Sequence, residues 1–261
     1  MELDKWLEYI EYVKIIVYPS DTLKKDKEEL IIGLNLSKNL GAVGVYKLEG
    51  ENYVLEDKIE NLTTIEKLST KIDKTNNRRF ILVEEFLDER VGAYFTDKFI
   101  RVFTEVDDKF EEVFRKSIDY QAYVYEKWLD NDKENPKWYR LDENNQIDYD
   151  EQKNNNLSFS IEQIIKKSEG KDGSPSSIPT DFMQVEKSEF RTIYYWNEEY
   201  RRFIMGKGQV ISTGENVAIL EDMSKSADYL LNLGDKYYKV INKNMTEKHI
   251  KHDEIKTYVY Q

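Results

Sequence analysis

A chain of 261 residues that is 39% hydrophobic and 13% aromatic carries enough apolar side chain for one large core or two ordinary ones. It has no cysteine, which excludes disulfides, thiolate-bound zinc, iron–sulfur clusters and thiol nucleophiles together. The formal charge of −12 is concentrated in residues 1–134, where 21 Lys and Arg face 30 Asp and Glu, a field that repels nucleic acid and attracts basic partners.

Leu3, Trp6, Leu7 and Ile10 recur at helical spacing and predict a short N-terminal helix laid on the core. This acidic, amphipathic start is unlike a signal peptide, and no apolar run reaches the length of a membrane span, so a cytoplasmic protein without membrane contact is expected. Tyr12–Tyr18 switches to β-branched and aromatic residues and predicts a strand stopped by Pro19; Leu30–Leu36 predicts a second. Ala42–Leu48 and Tyr53–Leu55 flank Glu49-Gly50-Glu51-Asn52 and predict a hairpin. Thr63 and Thr64 precede Ile65, Leu68 and Ile72, whose spacing of three then four predicts a helix over Thr64–Lys74. Arg79–Phe86, Gly92–Phe95 and Lys98–Val106 follow as strands, the last two separated by a Thr96-Asp97 turn.

The longest periodic stretch runs from Asp107 to Asp130. Phe110, Val113, Phe114, Ile118, Ala122, Tyr125, Trp128 and Leu129 step by three or four, and Asp107 and Asp108 place negative charge where a helix N-terminus favours it. The pattern predicts one long helix. DNDKENP at 130–136 reads as a domain boundary, Trp138–Leu141 as a strand, and the acidic, Asn-rich tract Asp142–Asn156 as a loop or ragged hairpin. A helix capped by Ser160 runs to Lys167, and Gly170–Thr180 has loop composition. Val185–Trp196 with Tyr200–Met205, and Gln209–Ser212 with Asn216–Leu220, predict two hairpins. Asp222 caps a helix to Leu233, and strands at Lys236–Ile241 and Ile255–Tyr260 end the chain. Strands followed by a covering helix indicate an α+β fold: mostly antiparallel sheets packed against a long central helix, in two lobes at residues 1–130 and 131–261.

Few residues offer chemistry. His249 and His252 are the two histidines, and at helical spacing they would present nitrogen ligands to a divalent metal. Glu84, Glu85, Asp88 and Glu89, and Asp148, Asp150 and Glu151, are candidate carboxylate clusters for a metal-dependent hydrolase. Gly206-Lys207-Gly208 lacks the further glycines of a phosphate-binding loop, and no other phosphate-loop motif occurs. Between Arg191 and Lys207, basic residues interleave with aromatics: Tyr194, Tyr195, Trp196, Tyr200, Arg201 and Arg202 have the composition of a protein-binding hot spot, of a single-stranded nucleic acid platform, or of a core-filling hairpin.

No catalytic residue and no cofactor are implied. The sequence therefore points to a non-enzymatic binding protein, of inhibitor or immunity type, whose partner is a protein with a basic surface; nucleic acid is disfavoured by charge. A carboxylate-cluster hydrolase and an assembly protein of a phage or mobile element are the alternatives. Heavy use of Lys, Asn, Ile, Glu and Tyr suits an AT-rich bacterial or phage genome.

Overall fold

The structure, a computed structural model, describes residues 13–24, 27–73, 78–91, 93–151, 157–170, 177–231 and 235–258. The expected N-terminal helix lies outside them. Among the described residues 73% are strand and 7% helical, and no helix reaches seven residues. The α+β expectation, with its long central helix, is thereby overturned: the protein is built of antiparallel sheet.

Four strands, β1 (Lys14–Lys24), β2 (Lys27–Ser37), β3 (Leu40–Glu49) and β4 (Asn52–Leu62), form one sheet in chain order. The next eight, β5 (Thr64–Asp73), β6 (Arg78–Asp88), β7 (Phe95–Val106), β8 (Lys109–Tyr125), β9 (Trp138–Glu151), β10 (Leu157–Gly170), β11 (Phe182–Asn197) and β12 (Arg202–Ile204), form a second, again in chain order. The last five are β13 (Gly206–Val210), β14 (Asn216–Asp222), β15 (Tyr237–Asn242), β16 (Glu247–Lys251) and β17 (Ile255–Tyr258), in the order β16-β15-β14-β13-β17. The chain divides into two compact units, residues 1–87 with 98–116, and residues 88–97 with 117–261.

Each expected helix became strand or short turn for a local reason. Asp107 (φ 50°) and Asp108 (φ 65°) both take left-handed backbone, the type I′ geometry that joins β7 to β8, so they are a hairpin turn and no helix begins there. Residues 109–125 then extend as β8, where the neighbours Val113 and Phe114 are both buried, so burial does not keep to one face. In β5 the pairing with β6 shifts between Ile65 and Lys67, and that extra residue puts Ile65 and Leu68 in one core at a spacing that imitates a helix. Ser160–Lys167 lies inside β10, where Phe159, Ile161, Gln163 and Ile165 are buried in alternation; a buried glutamine hid the period. Asp142–Glu151 continues β9 and pairs with β10, the hairpin and not the loop of the two expectations, while residues 152–156 lie outside the described ones. Asp222 does cap, but what it caps is a 3-10 turn, Met223–Lys225, followed by another at Ala227–Leu231. Thr96 and Asp97 sit within β7, and Pro19 lies inside β1, an edge strand where its missing N–H is tolerated. The predicted hairpins at 42–55, 185–205 and 209–220 are present as β3–β4, β11–β12 and β13–β14.

In the first unit the inner face of the four-stranded sheet packs on β5, β6 and β7. Ile31, Val43, Val45, Ile59, Leu62, Ile65, Leu68, Ile81, Val83 and Phe103 form one buried cluster, each contributing about 1.5–3 kcal/mol of transfer free energy. One polar side chain joins the layers: buried Asn35 on β2 donates through Nδ2 to the Ile65 carbonyl at 2.8 Å, and Oδ1 accepts the Ile65 N–H at 2.8 Å. The carboxamide thus serves the backbone of β5, an edge strand, as a neighbouring strand would. Gly41 permits this approach, since a Cβ there would lie 2.4 Å from the Thr63 carbonyl. Buried Arg79 and Glu29 make an ion pair between β6 and β2, with Arg79 over the Phe110 ring at 5.0 Å. Glu85 is fully buried; its Oε2 accepts from the Thr63 N–H at 2.6 Å and hydroxyl at 3.1 Å, and Arg101 stands 3.5 Å from Oε1.

In the second unit Ala122, Leu141, Ile165, Ala227 and Leu230 form a core in which the 3-10 turn at 227–231 lies against β8, β9 and β10. Glu143 holds it: Oε2 accepts the Ala227 N–H at 3.3 Å, and Oε1 accepts from Asn145 Nδ2 at 2.8 Å. Lys167 Nζ donates to the Leu230 carbonyl at 2.9 Å. The loop 126–137 is closed by aromatic contacts of Trp138 with Tyr94, Tyr125 and Trp128 at centroid distances of 6.0, 5.2 and 5.1 Å. No helix among the described residues is long and apolar enough to cross a membrane.

Two outcomes test this account. Asn35→Ala leaves both backbone groups of Ile65 without their partner and is expected to cost about 2–4 kcal/mol in urea denaturation, with Asn35→Asp also destabilising because one donor is lost. Burial pushes the Glu85 carboxyl above its usual range. A carboxyl raised in the folded state favours folding at low pH and loses that contribution as pH rises through its folded pKa. Wild-type stability relative to Glu85→Gln should therefore fall between acid and neutral pH, and a constant difference across denaturation curves from pH 4 to 8 would contradict it.

Candidate interaction surface and cleft

The sequence of β2, Leu30-Ile31-Ile32-Gly33-Leu34, is apolar without alternation, the signature of a strand with something on both of its faces. Ile31 faces the core just described. The cross-strand register places Ile15, Leu34 and Ala42 in one row, Val17, Ile32 and Gly44 in the next, and Leu30, Tyr46 and Leu55 in a third, with Leu48 opposite Tyr53 beyond. These rows line the outer face of the four-stranded sheet. Ile15 is 61% exposed, Val17 56%, Leu55 49% and Tyr53 45%, while Leu30, Ile32, Leu34, Ala42, Tyr46 and Leu48 are half-buried. An antiparallel sheet facing water ordinarily alternates polar outward, and this continuous apolar lattice departs from that pattern. Its border on the β3–β4 hairpin is acidic: residues 40–62 hold two lysines against Glu49, Glu51, Glu56, Asp57 and Glu60. The two lysines are engaged locally, Lys47 with Glu49 at 3.0 Å and Lys58 with Glu60 at 2.7 Å.

The residues singled out from sequence in the aromatic hairpin divide between interior and surface. Tyr194, Trp196 and Tyr200 are buried; Trp196 and Phe159 pack on Phe203 at centroid distances of 5.5 and 4.4 Å, and Tyr200 joins Ile204, Ala218 and Ile241. Tyr195 is half-buried beside that cluster. Arg201 is exposed in left-handed backbone at the turn, and Arg202 Nη1 donates to its carbonyl at 2.9 Å. Most of the ring area thus fills a core. The histidines do not share a helix: His249 is exposed on β16, and His252, in a 3-10 turn, stacks on Tyr238 at 3.9 Å with Nε2 3.1 Å from Asp222 Oδ1. Glu84 meets Lys67 at 2.9 Å and Lys98 at 3.6 Å, whereas Asp148 is exposed on β9. Among the described residues no three His, Asp or Glu side chains converge as a metal would need.

The same hairpin nevertheless builds one wall of a cleft in the second unit. Asn197 Oδ1 accepts the N–H groups of Glu199 at 3.1 Å and Tyr200 at 3.3 Å, an Asx turn that fixes the backbone at Glu199. Lys207 on β13 reaches Glu199 Oε2 at 2.8 Å, and Lys243, in the β15–β16 turn, reaches Oε1 at 2.7 Å. Asn242 shapes that turn by accepting the N–H groups of Asn244 and Thr246, both at 3.0 Å. Asn216, Val217, Gly208 and Tyr258 complete a recess of about 190 Å³. Gly208 allows β13 and β17 to pair so closely, because a Cβ would meet Ile255 at 2.7 Å. Sequence inspection found Tyr200 and Lys207 through their shared segment but missed Glu199, Lys243, Asn216 and Tyr258, which no motif connects.

No protein-family model matches this chain, and no curated protein or solved structure is found similar to it. Fold and surface chemistry are therefore the basis for a functional reading.

Hydrogen bonds from Lys207 and Lys243 hold the Glu199 carboxyl down at about 2. A depressed carboxyl contributes stability above its unfolded pKa and loses it as pH falls through the folded value; being exposed, this one contributes little. Carbon-detected NMR titration should find Glu199 still ionised at pH 3, and Lys207→Met with Lys243→Met should return it to the ordinary carboxylate range. A wild-type midpoint near that of a free glutamate would refute the two-lysine clamp.

Proposed function

We propose that this chain is a non-enzymatic binding protein that occludes a protein partner with a basic surface, docking it on the outer face of the four-stranded sheet. The observation that supports the reading is the unbroken apolar lattice formed by Ile15, Val17, Ile32, Leu34, Tyr46 and Leu55 beside an acidic hairpin. An apolar centre supplies the residence time of a complex once water is excluded, and charge on the border sets the rate of encounter. With five acids against two bases on β3–β4, within the acidic first half of the chain, the partner that fits has apolar side chains ringed by Lys and Arg. The proposed role is that of a cytoplasmic inhibitor or immunity-type protein, which blocks its partner by covering it with this face.

The test uses the tagged full chain as bait in a lysate of an AT-rich bacterium, at low and moderate salt, with two variants. Ile15→Asp with Val17→Asp should weaken capture of a basic protein at least about tenfold through faster release, while Glu51→Lys with Glu56→Lys should slow association and flatten its salt dependence. Arg201→Glu, on the other unit, should leave both rates unchanged. If the Ile15/Val17 variant melts like the wild type and captures the same protein equally, the reading is wrong.

A further inference from the structure

Independently of partner docking, the cleft between the β11–β12 turn, β13, β14, the β15–β16 turn and β17 has the chemistry of a small-ligand site. We infer that it binds a single neutral sugar ring, such as a terminal monosaccharide of a glycan. Three properties narrow the ligand class.

The first is the order of its polar groups. Glu199 lies between two ammonium groups, with Lys207 Nζ 2.8 Å from one carboxylate oxygen and Lys243 Nζ 2.7 Å from the other. Donors and acceptors thus alternate along one wall, and Asn216 adds an amide with one of each. A hydroxyl can donate to the carboxylate and accept from the neighbouring ammonium at the same time, and vicinal hydroxyls repeat that pattern along a ring. A hydroxyl pairs with these groups as they stand, whereas an anion would have to draw a lysine off Glu199; because two ammonium groups face one carboxylate and leave the wall net positive, an anion is the competing ligand.

The second is an aromatic neighbour. Tyr258, at the end of β17 and opposite Lys207 in the ladder, is 45% exposed and lines the recess; with Lys256 Nζ 5.8 Å from its ring centroid, it can still offer a ring face to the C–H face of a pyranose. The third is size and preparation. A recess of about 190 Å³ leaves room for one ring. The side chains are already paired with one another, on backbone set by the Asx turn at Glu199, the ladder of Lys207 to β14 and β17, and the Asn242-centred turn at Lys243. Preorganisation of this kind lowers the ordering cost of binding a weakly held ligand.

The probes are methyl α-D-glucopyranoside, methyl α-D-mannopyranoside, methyl β-D-galactopyranoside and N-acetylglucosamine, titrated into the isotope-labelled full chain and followed by amide chemical shifts, with inorganic phosphate as the opposing probe. At least one sugar should shift the Glu199, Lys207, Asn216 and Tyr258 resonances saturably in the millimolar range. Glu199→Gln and Tyr258→Ala should each weaken that binding about tenfold, whereas Tyr258→Phe, which keeps the ring, should bind within about twofold of wild type. The inference fails if none of the four sugars shifts these resonances, if phosphate saturates them instead, or if the Glu199 and Tyr258 variants, folded by their spectra, bind as the wild type does.

Discussion

Both units depend on the same constraint: a segment brought against a sheet from outside its ladder carries backbone groups that must be hydrogen-bonded, and a buried polar side chain is what reaches them. In the first unit Asn35 holds the N–H and carbonyl of Ile65 at 2.8 Å each, so β5, paired with β6 on one side, has these groups satisfied on its outer edge, where the sheet ends. In the second, Glu143 accepts the N–H of Ala227 and Lys167 reaches the Leu230 carbonyl, seating a 3-10 turn on three strands. These contacts decide where the layers close. Apolar burial around them supplies most of the stabilisation but has no direction, and a slipped arrangement would bury nearly as much area while leaving these groups unpaired.

The same logic explains why so much of this sequence is apolar on both sides of a strand. β2 presents Ile31 to the interior and Leu30, Ile32 and Leu34 to the outer face, and β1 and β3 continue both surfaces. One face is satisfied within the unit. The other remains half-open, with Ile15 and Val17 more than half exposed, and the energy available from covering it is what a binding partner would use. The aromatic hairpin shows the opposite outcome. Its tyrosines and tryptophan look like surface anchors by composition, yet alternation along β11 and the fold of the Asn197 turn direct Tyr194, Trp196 and Tyr200 inward.

Turns were more legible than periods. The hairpins at β3–β4, β11–β12 and β13–β14 follow from polar residues and glycine between short apolar runs, because turn chemistry is local. Helical spacing misled wherever burial changed face. A bulge after Ile65 set Leu68 in the same core, two-sided burial along β8 spread Val113, Phe114 and Ala122 at intervals that resemble a helix, and Gln163 and Glu143, polar but buried, broke the alternation that would have marked β10 and β9. In the cleft, Lys207 and Tyr200 were visible as neighbours in one basic, aromatic segment. Glu199 was one acid among 51, and Lys243 and Tyr258 lie in other strands and turns, so no spacing rule could join them.

By itself, then, the sequence determined what depends on residue chemistry and immediate neighbours: no thiol or disulfide chemistry, an acidic first half, the strand-forming runs, the short turns, and the cap at Asp222. Tertiary structure alone decided what depends on residues distant in the chain. It made strands of Lys109–Tyr125, Thr64–Asp73 and Ser160–Lys167, because a paired ladder packed on a core outweighs weak helix propensity. It also brought Glu199, Lys207, Lys243 and Tyr258 around one recess and left Ile15 and Val17 facing outward, since which side of a strand is covered is set by the partner layer and not by the strand.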